Sequence, residues 1–161
     1  MVFFYNVTIE HMFVVLHIFK YKKIQLKDMK MIFENEIGQK IVNPTKEQLE
    51  DMLDQIDGVG NSYAYLEAEN EDYIQVGGGP IEFTVEIREN FNNGKFKQWK
   101  AQLRDSEDEG IRFVIIAGSE VKVRSNQILD IKIVKELFGL YLEGNQLPEI
   151  INWSDITDMF L

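Results

Sequence analysis

Two stretches of the chain carry apolar residues at helical spacing. The first is Lys46–Asp57, where four apolar residues recur on one face and acidic residues fill the other: Leu49, Met52, Leu53 and Ile56. Thr45 and Gln48 form a capping-box pair at its start, and Asp57-Gly58 is typical of a helix end. The spacing therefore predicts a helix over Lys46–Asp57.

The second helical stretch is Asp130–Glu143. Its apolar residues share one stripe: Ile131, Val134, Phe138, Tyr141 and Leu142. Gly144 supplies a left-handed cap, and Pro148 prevents the helix from continuing much further.

Between the helices the period changes to two. Apolar and polar residues alternate over Ile81–Arg88, which predicts a strand with one buried face and one wet face, and Asn93-Gly94 is a turn signal. Seven further strands are predicted: Met31–Phe33, Lys40–Val42, Tyr63–Glu67, Tyr73–Val76, Lys95–Ala101, Ile111–Ala117 and Val121–Arg124. Ile111–Ala117 is apolar on both faces at Val114–Ile116, which predicts a central position. We expect an α+β fold, an antiparallel sheet of about six to eight strands with two main helices packed on it.

Composition narrows the class of protein. The 161 residues include no cysteine and carry a net charge of −10. The absence of thiols fits a reducing cytoplasm, and the charge repels nucleic acid and anionic membrane while it attracts basic partners. The same charge is also compatible with a surface that merely aids solubility.

The first thirty residues differ from the rest. They contain five lysines and two acidic residues, a sum of +3, which leaves −13 for residues 31–161. The longest apolar run, Met12–Leu16, is too short for a membrane span, and the lysines follow it, unlike in a signal peptide. Residues 1–30 are either an added strand or hairpin, or lie upstream of a true start at Met29 or Met31. We expect residues 31–161 to form a single α+β domain.

Catalytic and metal-binding patterns are weak. Both histidines, His11 and His17, lie in the N-terminal stretch, so a triad or a histidine-ligated metal lacks parts. Carboxylates cluster at 67–72 and 105–109 in polar loops, where they are usually solvated and unperturbed. We therefore expect no enzyme activity, no metal and no cofactor.

The glycine run Gly77–Gly79 precedes Pro80 and a strand rather than a helix, so it does not resemble a phosphate loop. A tight link with positive φ between adjacent strands is the simpler interpretation.

Three features in order resemble the Imm-one type immunity proteins of bacterial polymorphic toxin systems: Asn43-Pro44-Thr45 before a helix, Val76 followed by three glycines, and a terminal helix followed by Gly144 and Trp153. Ser125-Asn126-Gln127 stands where the family often has a proline-containing turn. The resemblance covers roughly residues 40–155. It implies a protein that neutralises a cognate toxin, often a nucleic-acid deaminase with a basic groove.

An acidic inhibitor could fill such a groove with carboxylates while a few aromatic residues hold the complex. The candidate partner-binding residues are Tyr65, Glu67, Glu69, Glu71, Asp72 and Tyr73. We interpret Trp153 as a packing residue. The alternative function is a small-ligand-binding or enzymatic α+β domain that uses the Gly77–Gly79 turn.

Overall fold

The computed structural model describes residues 29–104, 108 and 110–161. Seven strands form one sheet in the order β2-β1-β3-β4-β5-β6-β9, and every neighbouring pair is antiparallel. The elements are β1 Met31–Asn35, β2 Lys40–Val42, α1 Lys46–Leu53, β3 Tyr63–Ala68, β4 Tyr73–Gly78, β5 Phe83–Asn90, β6 Phe96–Leu103, β7 Ile111–Ile116, β8 Ser119–Arg124, α2 Ile131–Leu142 and β9 Ile151–Asp155. The fold is α+β, which confirms the predicted class.

The core lies between the sheet and the two helices. Cross-strand partners Phe33, Leu66, Ile74 and Ile87 form a buried apolar row on one face, which we call the helix face. The helices contribute buried residues to the same cluster: Leu49, Met52, Leu53, Val134, Leu137, Phe138 and Tyr141. Apolar burial of this kind is the main force that holds helices on a sheet.

Helix α1 begins as predicted. Gln48 N donates to Thr45 Oγ1 at 3.1 Å, and Thr45 N donates to Gln48 Oε1 at 2.9 Å. The helix ends at Leu53 rather than at Asp57, because the last bonds tighten: Ile56 N donates to Leu53 O, a three-residue step. Ile56 nevertheless remains in the core.

Helix α2 is capped by Asp130, whose Oδ1 accepts from Ile133 N at 2.9 Å. Gly144 follows the helix at φ 63°, the left-handed conformation that glycine adopts without strain. An ion pair links α2 to the end of α1: Lys135 Nζ lies 2.7 Å from the carboxylate of Asp54, the residue that follows α1.

Two sequence predictions are wrong in position, and one strand was missed. The strand predicted from Ile81 begins at Phe83, and Ile81 is 79% exposed, because residues 79–82 form the connection between β4 and β5. Strand β7 is not central: it pairs with β8 in a separate two-stranded sheet. Strand β9 was not predicted; it pairs with β6, and its Trp153 packs against the core.

Two predictions fall on residues outside the described ranges. The N-terminal extension lies there except for residues 29 and 30, and so does most of the acidic loop at 105–109. The interpretation of residues 1–30 therefore stays a prediction.

Candidate interaction surface

The face of the sheet opposite the helices is polar. One row crosses all seven strands through successive cross-strand partners: Lys40, Glu34, Tyr65, Gln75, Glu86, Lys100 and Ser154. We call this side of the sheet the polar face. Because side chains alternate along every strand, the sequence pattern of β3–β6 dictates that these residues share one side.

Glu86 is the centre of the polar face. Its Oε2 accepts from Gln75 Nε2 and Gln98 Nε2, both at 2.9 Å, and its Oε1 accepts from Lys100 Nζ at 3.0 Å. The carboxylate and the ammonium are both largely buried. Three donors, one of them the Lys100 ammonium, satisfy most of the carboxylate, which favours a structural role over proton transfer.

Arg88 lies beside this network and stacks on aromatic rings. Its guanidinium carbon is 4.2 Å from the Phe96 ring centre and 5.4 Å from that of Tyr73, and its Nε donates to Gln98 Oε1 at 2.7 Å. Such cation–π contacts orient both partners. Burial raises the pKa of Tyr73, and the nearby Arg88 charge opposes that shift. Tyr73 is therefore held on the polar face as a neutral phenol.

Three of the predicted partner-binding residues meet on the polar face. Glu67 and Tyr73 are direct cross-strand partners, and Tyr65 lies two residues before Glu67 on the same side of β3. Partial burial, followed by the neighbouring Glu34 carboxylate, raises the pKa of Tyr65. These three side chains are half-buried and form a continuous strip that leads to the β3–β4 turn.

Glu69 and Glu71 project from that turn and are exposed. Neither they nor Glu67 form an ion pair with any residue in the described ranges. Glu71 adopts φ 65°, a left-handed conformation that is rare for a residue with a side chain. We call Glu67, Glu69 and Glu71 with Tyr65 and Tyr73 the acidic hairpin.

Asp72 differs from the expected solvated carboxylate, because it is only 2% exposed. Its Oδ1 accepts from Asn90 N at 2.6 Å and its Oδ2 accepts from Asn70 Nδ2 at 2.9 Å. Asn90 Nδ2 in turn donates to Glu71 O at 2.5 Å. Asp72 thus anchors the hairpin turn to the end of β5 and is not available as a surface charge.

The glycine run also has a structural role. Gly78 and Gly79 have φ of 110° and 104°, and a Cβ on Gly79 would lie 2.8 Å from Ile56 O. Gly77 faces the polar side, where a Cβ would overlap with the side chain of Ile116. This confirms the predicted tight link with positive φ at Gly78 and Gly79, where a Cβ would meet backbone atoms; at Gly77 it would meet only the end of the Ile116 side chain.

A pocket of about 290 Å³ opens beside Gly77. Its polar lining comes mainly from Tyr63, Gln75, Thr84 and Glu86, and Ile116 and Ala117 form its outer wall. The sequence pattern could not reveal it, because β7 is brought over the sheet by a long-range contact.

Groups of three or more histidine, cysteine or acidic residues with metal-binding geometry do not occur within the described ranges. No helix in that part of the chain is long and apolar enough to cross a membrane.

Comparison with known proteins gives a fold likeness. The chain is similar to the crystal structure of a hypothetical protein from Neisseria gonorrhoeae, at 13% sequence identity and a TM-score of 0.52. The match covers 78% of this chain and 94% of that one. No family model matches the chain, and no curated protein does.

Proposed function

We propose that this protein is an immunity-type inhibitor that binds a basic toxin domain through the acidic hairpin. The observation that carries the proposal is Glu71, an exposed carboxylate held in the left-handed region at a tethered turn. Backbone strain of this kind often marks a functional position.

The strain argues against an incidental turn. A side chain in the left-handed region costs roughly 1 kcal/mol relative to glycine. Glycine at position 71 would remove that cost, and it would also remove the carboxylate. A binding role for the carboxylate explains why a glutamate occupies the position.

The turn is also arranged for binding with little loss of entropy. The Asp72 side chain accepts from Asn90 N at 2.6 Å, and Asn90 Nδ2 donates to Glu71 O at 2.5 Å, so the turn is tied to the end of β5. A preorganised surface loses less conformational freedom on association, so more of the contact energy appears as affinity.

Net charge and neighbouring aromatic side chains also support the proposal. The net charge of −10 steers a basic partner towards the protein, and the acidic hairpin offers three carboxylates without ion pairs within the described ranges. Tyr65 and Tyr73 lie directly beside them, and tyrosine is common among residues that dominate binding energy. The partner would be a toxin domain in the cytoplasm, such as a nucleic-acid deaminase, with its basic groove occluded.

The pocket beside Gly77 supports a second candidate, the binding of a small ligand. Its volume of about 290 Å³ is near the lower limit for ligand sites. Binding of a metabolite-sized compound that shifts the amide signals of Gly77 and Thr84, without any protein partner, would favour this candidate.

The test starts from the genes beside this one: any that encodes a basic, growth-inhibiting product is expressed with and without this protein. Survival that requires this protein supports the proposal, and equal death with and without it refutes the proposal. The binding surface is tested with the double variant Glu69→Lys/Glu71→Lys, which should slow association and flatten its salt dependence.

Asp51→Lys/Glu136→Lys is the matched control. Both residues are exposed on helices and form no ion pair within the described ranges, and both double variants shift the net charge from −10 to −6. Equal effects of the two variants would mean that overall charge, not the acidic hairpin, governs binding. Glu71→Gly separates strain from charge, because it should stabilise the fold and weaken binding.

A further inference from the structure

The β7–β8 hairpin has two unlike faces. Val114 and Val123 on its inner face are buried, and Ile116 contacts Gly77 of the large sheet. Ala117 N donates to Ser62 Oγ at 2.8 Å, and Arg112 pairs with Glu82 at 3.6 Å. The hairpin is therefore fixed to the large sheet through one face.

The other side, which we call the outer face, is made of three cross-strand pairs: Ile111 with Arg124, Phe113 with Lys122, and Ile115 with Glu120. All six residues are exposed. Ile111, Phe113 and Ile115 are 50%, 56% and 38% exposed and form one continuous apolar column on β7. Exposed apolar groups that are contiguous rather than scattered mark an interaction surface.

The charged residues of the outer face lie on β8. Glu120, Lys122 and Arg124 form no ion pair with any residue in the described part of the chain. Their order along the strand is negative, positive, positive. Such an order becomes complementary when it is set against a reversed copy of itself.

We propose that the outer face binds a second copy of this chain. Two outer faces can pack about a two-fold axis that lies between them, perpendicular to the strands. Each β7 then crosses the partner's β7 in the reverse direction, as a self-complementary interface requires. This places Phe113 against its own copy at the axis, and Ile111 against the copy of Ile115.

The same rotation aligns the charges. Glu120 meets the second copy of Arg124, and this pair occurs twice. The two copies of Lys122 meet near the axis and repel each other. A basic partner is a poor alternative occupant, because the outer face carries two cations and one anion.

The outer face is also separate from the acidic hairpin. The β7–β8 hairpin contacts β4 at Gly77, whereas the acidic hairpin includes Tyr73 at the other end of that strand. Six residues per strand at about 3.3 Å each give a face about 20 Å long. This is small beside the roughly 800 Å² per partner of a stable complex, so the dimer should be weak and concentration-dependent.

Sedimentation velocity on the full chain, from micromolar to millimolar protein, tests the proposal. Phe113→Ser should raise the dissociation constant at least about tenfold, as expected for a central contact. Ile37→Ser is the matched control, since Ile37 is also 56% exposed but lies outside the hairpin, and it should leave the dissociation constant unchanged.

A charge swap makes the test specific for the two-fold arrangement. Glu120→Arg and Arg124→Glu should each weaken the dimer, and the double variant should restore it. Lys122→Ala should tighten the dimer, because it removes the repelling pair. A monomer at millimolar concentration, a double variant that does not recover, or outer-face variants that instead weaken binding to a toxin would each overturn the proposal.

Discussion

Gly58→Ala should destabilise the protein far more than a substitution in a loop usually does, because Gly58 is buried. Gly58 has φ 75°, and a Cβ there would overlap with the carbonyl oxygen of Gly79 and lie 2.8 Å from its carbonyl carbon. Neither backbone can move freely, because Gly79 N donates to Glu82 O and Asp57 N donates to Asn61 O, both at 2.8 Å.

The magnitude follows from two separable costs. The left-handed conformation costs an alanine about 1 kcal/mol. Relief of the overlap must break or stretch at least one hydrogen bond, at about 1 kcal/mol each, and must disturb the neighbouring Ile56 in the core. We expect a total loss of about 3 kcal/mol in the free energy of unfolding.

Two other glycines are the controls. Gly38 has φ 76° with open space around its Cβ position, so Gly38→Ala should cost only the conformational part, about 1 kcal/mol. Gly60 has neither a positive φ nor a close neighbour, and Gly60→Ala should be neutral or slightly stabilising. Urea unfolding measures the change in unfolding free energy for all three variants when the dependence of that free energy on urea concentration is the same for each. Equal losses for the variants at 58 and 38 would refute the steric argument.

Three further predictions concern stability. Burial, and then the charges of Asp72 and its neighbours, raise the pKa of Tyr141 well above its usual value. Its buried hydroxyl has no hydrogen-bond partner within the described ranges. Tyr141→Phe should therefore raise the melting temperature, which corresponds to a gain of about 1 kcal/mol in the free energy of unfolding. Trp153→Ala should lower the free energy of unfolding in urea by about 3 kcal/mol, because the ring packs on the core. Trp153→Phe should cost little, because Trp153 Nε1 is buried without a partner in the described part of the chain. The amides of Val59, Asn61 and Gly60 lower the pKa of Asp57 in the folded protein. The Asp57 carboxylate therefore stabilises the fold above its unfolded pKa of about 3.9, and this stabilisation is lost as pH falls through the lower folded pKa. The difference in unfolding free energy between the wild type and Asp57→Asn should shrink in acid titrations, and a constant difference would contradict this.

Local signals predicted the helices and most strands. The Thr45–Gln48 pair fixes the start of α1, and the bounds of β2 agree with the prediction at both ends. Capping and alternation act over a few residues, so they can be read without knowledge of the tertiary contacts.

Long-range pairing could not be predicted in the same way. Residues 114–116 gave an apolar pattern that fits a central strand, yet the residue partners of β7 come only from β8 within the described ranges. A short apolar run indicates that at least one side of the strand is buried, but not which element of the structure buries it. The exposed column of the outer face appears only once the β7–β8 register is known.

In the candidate site, too, local pairing could be predicted from the sequence and long-range contacts could not. Tyr65, Glu67 and Tyr73 come together because a two-residue period and a hairpin suffice to align them. The burial of Asp72 depends on Asn90, which lies 18 residues away, and no local pattern indicates that contact. The sequence also gave no sign that position 71 adopts a positive φ.

The two proposed surfaces together predict the composition of the complex. The acidic hairpin and the outer face attach to different ends of β4, so a dimer formed through one should leave the other accessible on both copies. At high concentration the protein should therefore bind its toxin as a two-to-two complex, and at low concentration as a one-to-one complex. Because the surfaces share no residue, affinity for the toxin should not change between these regimes. Light scattering across a dilution series would measure the composition. A dimer that releases on toxin binding would show that the two surfaces overlap.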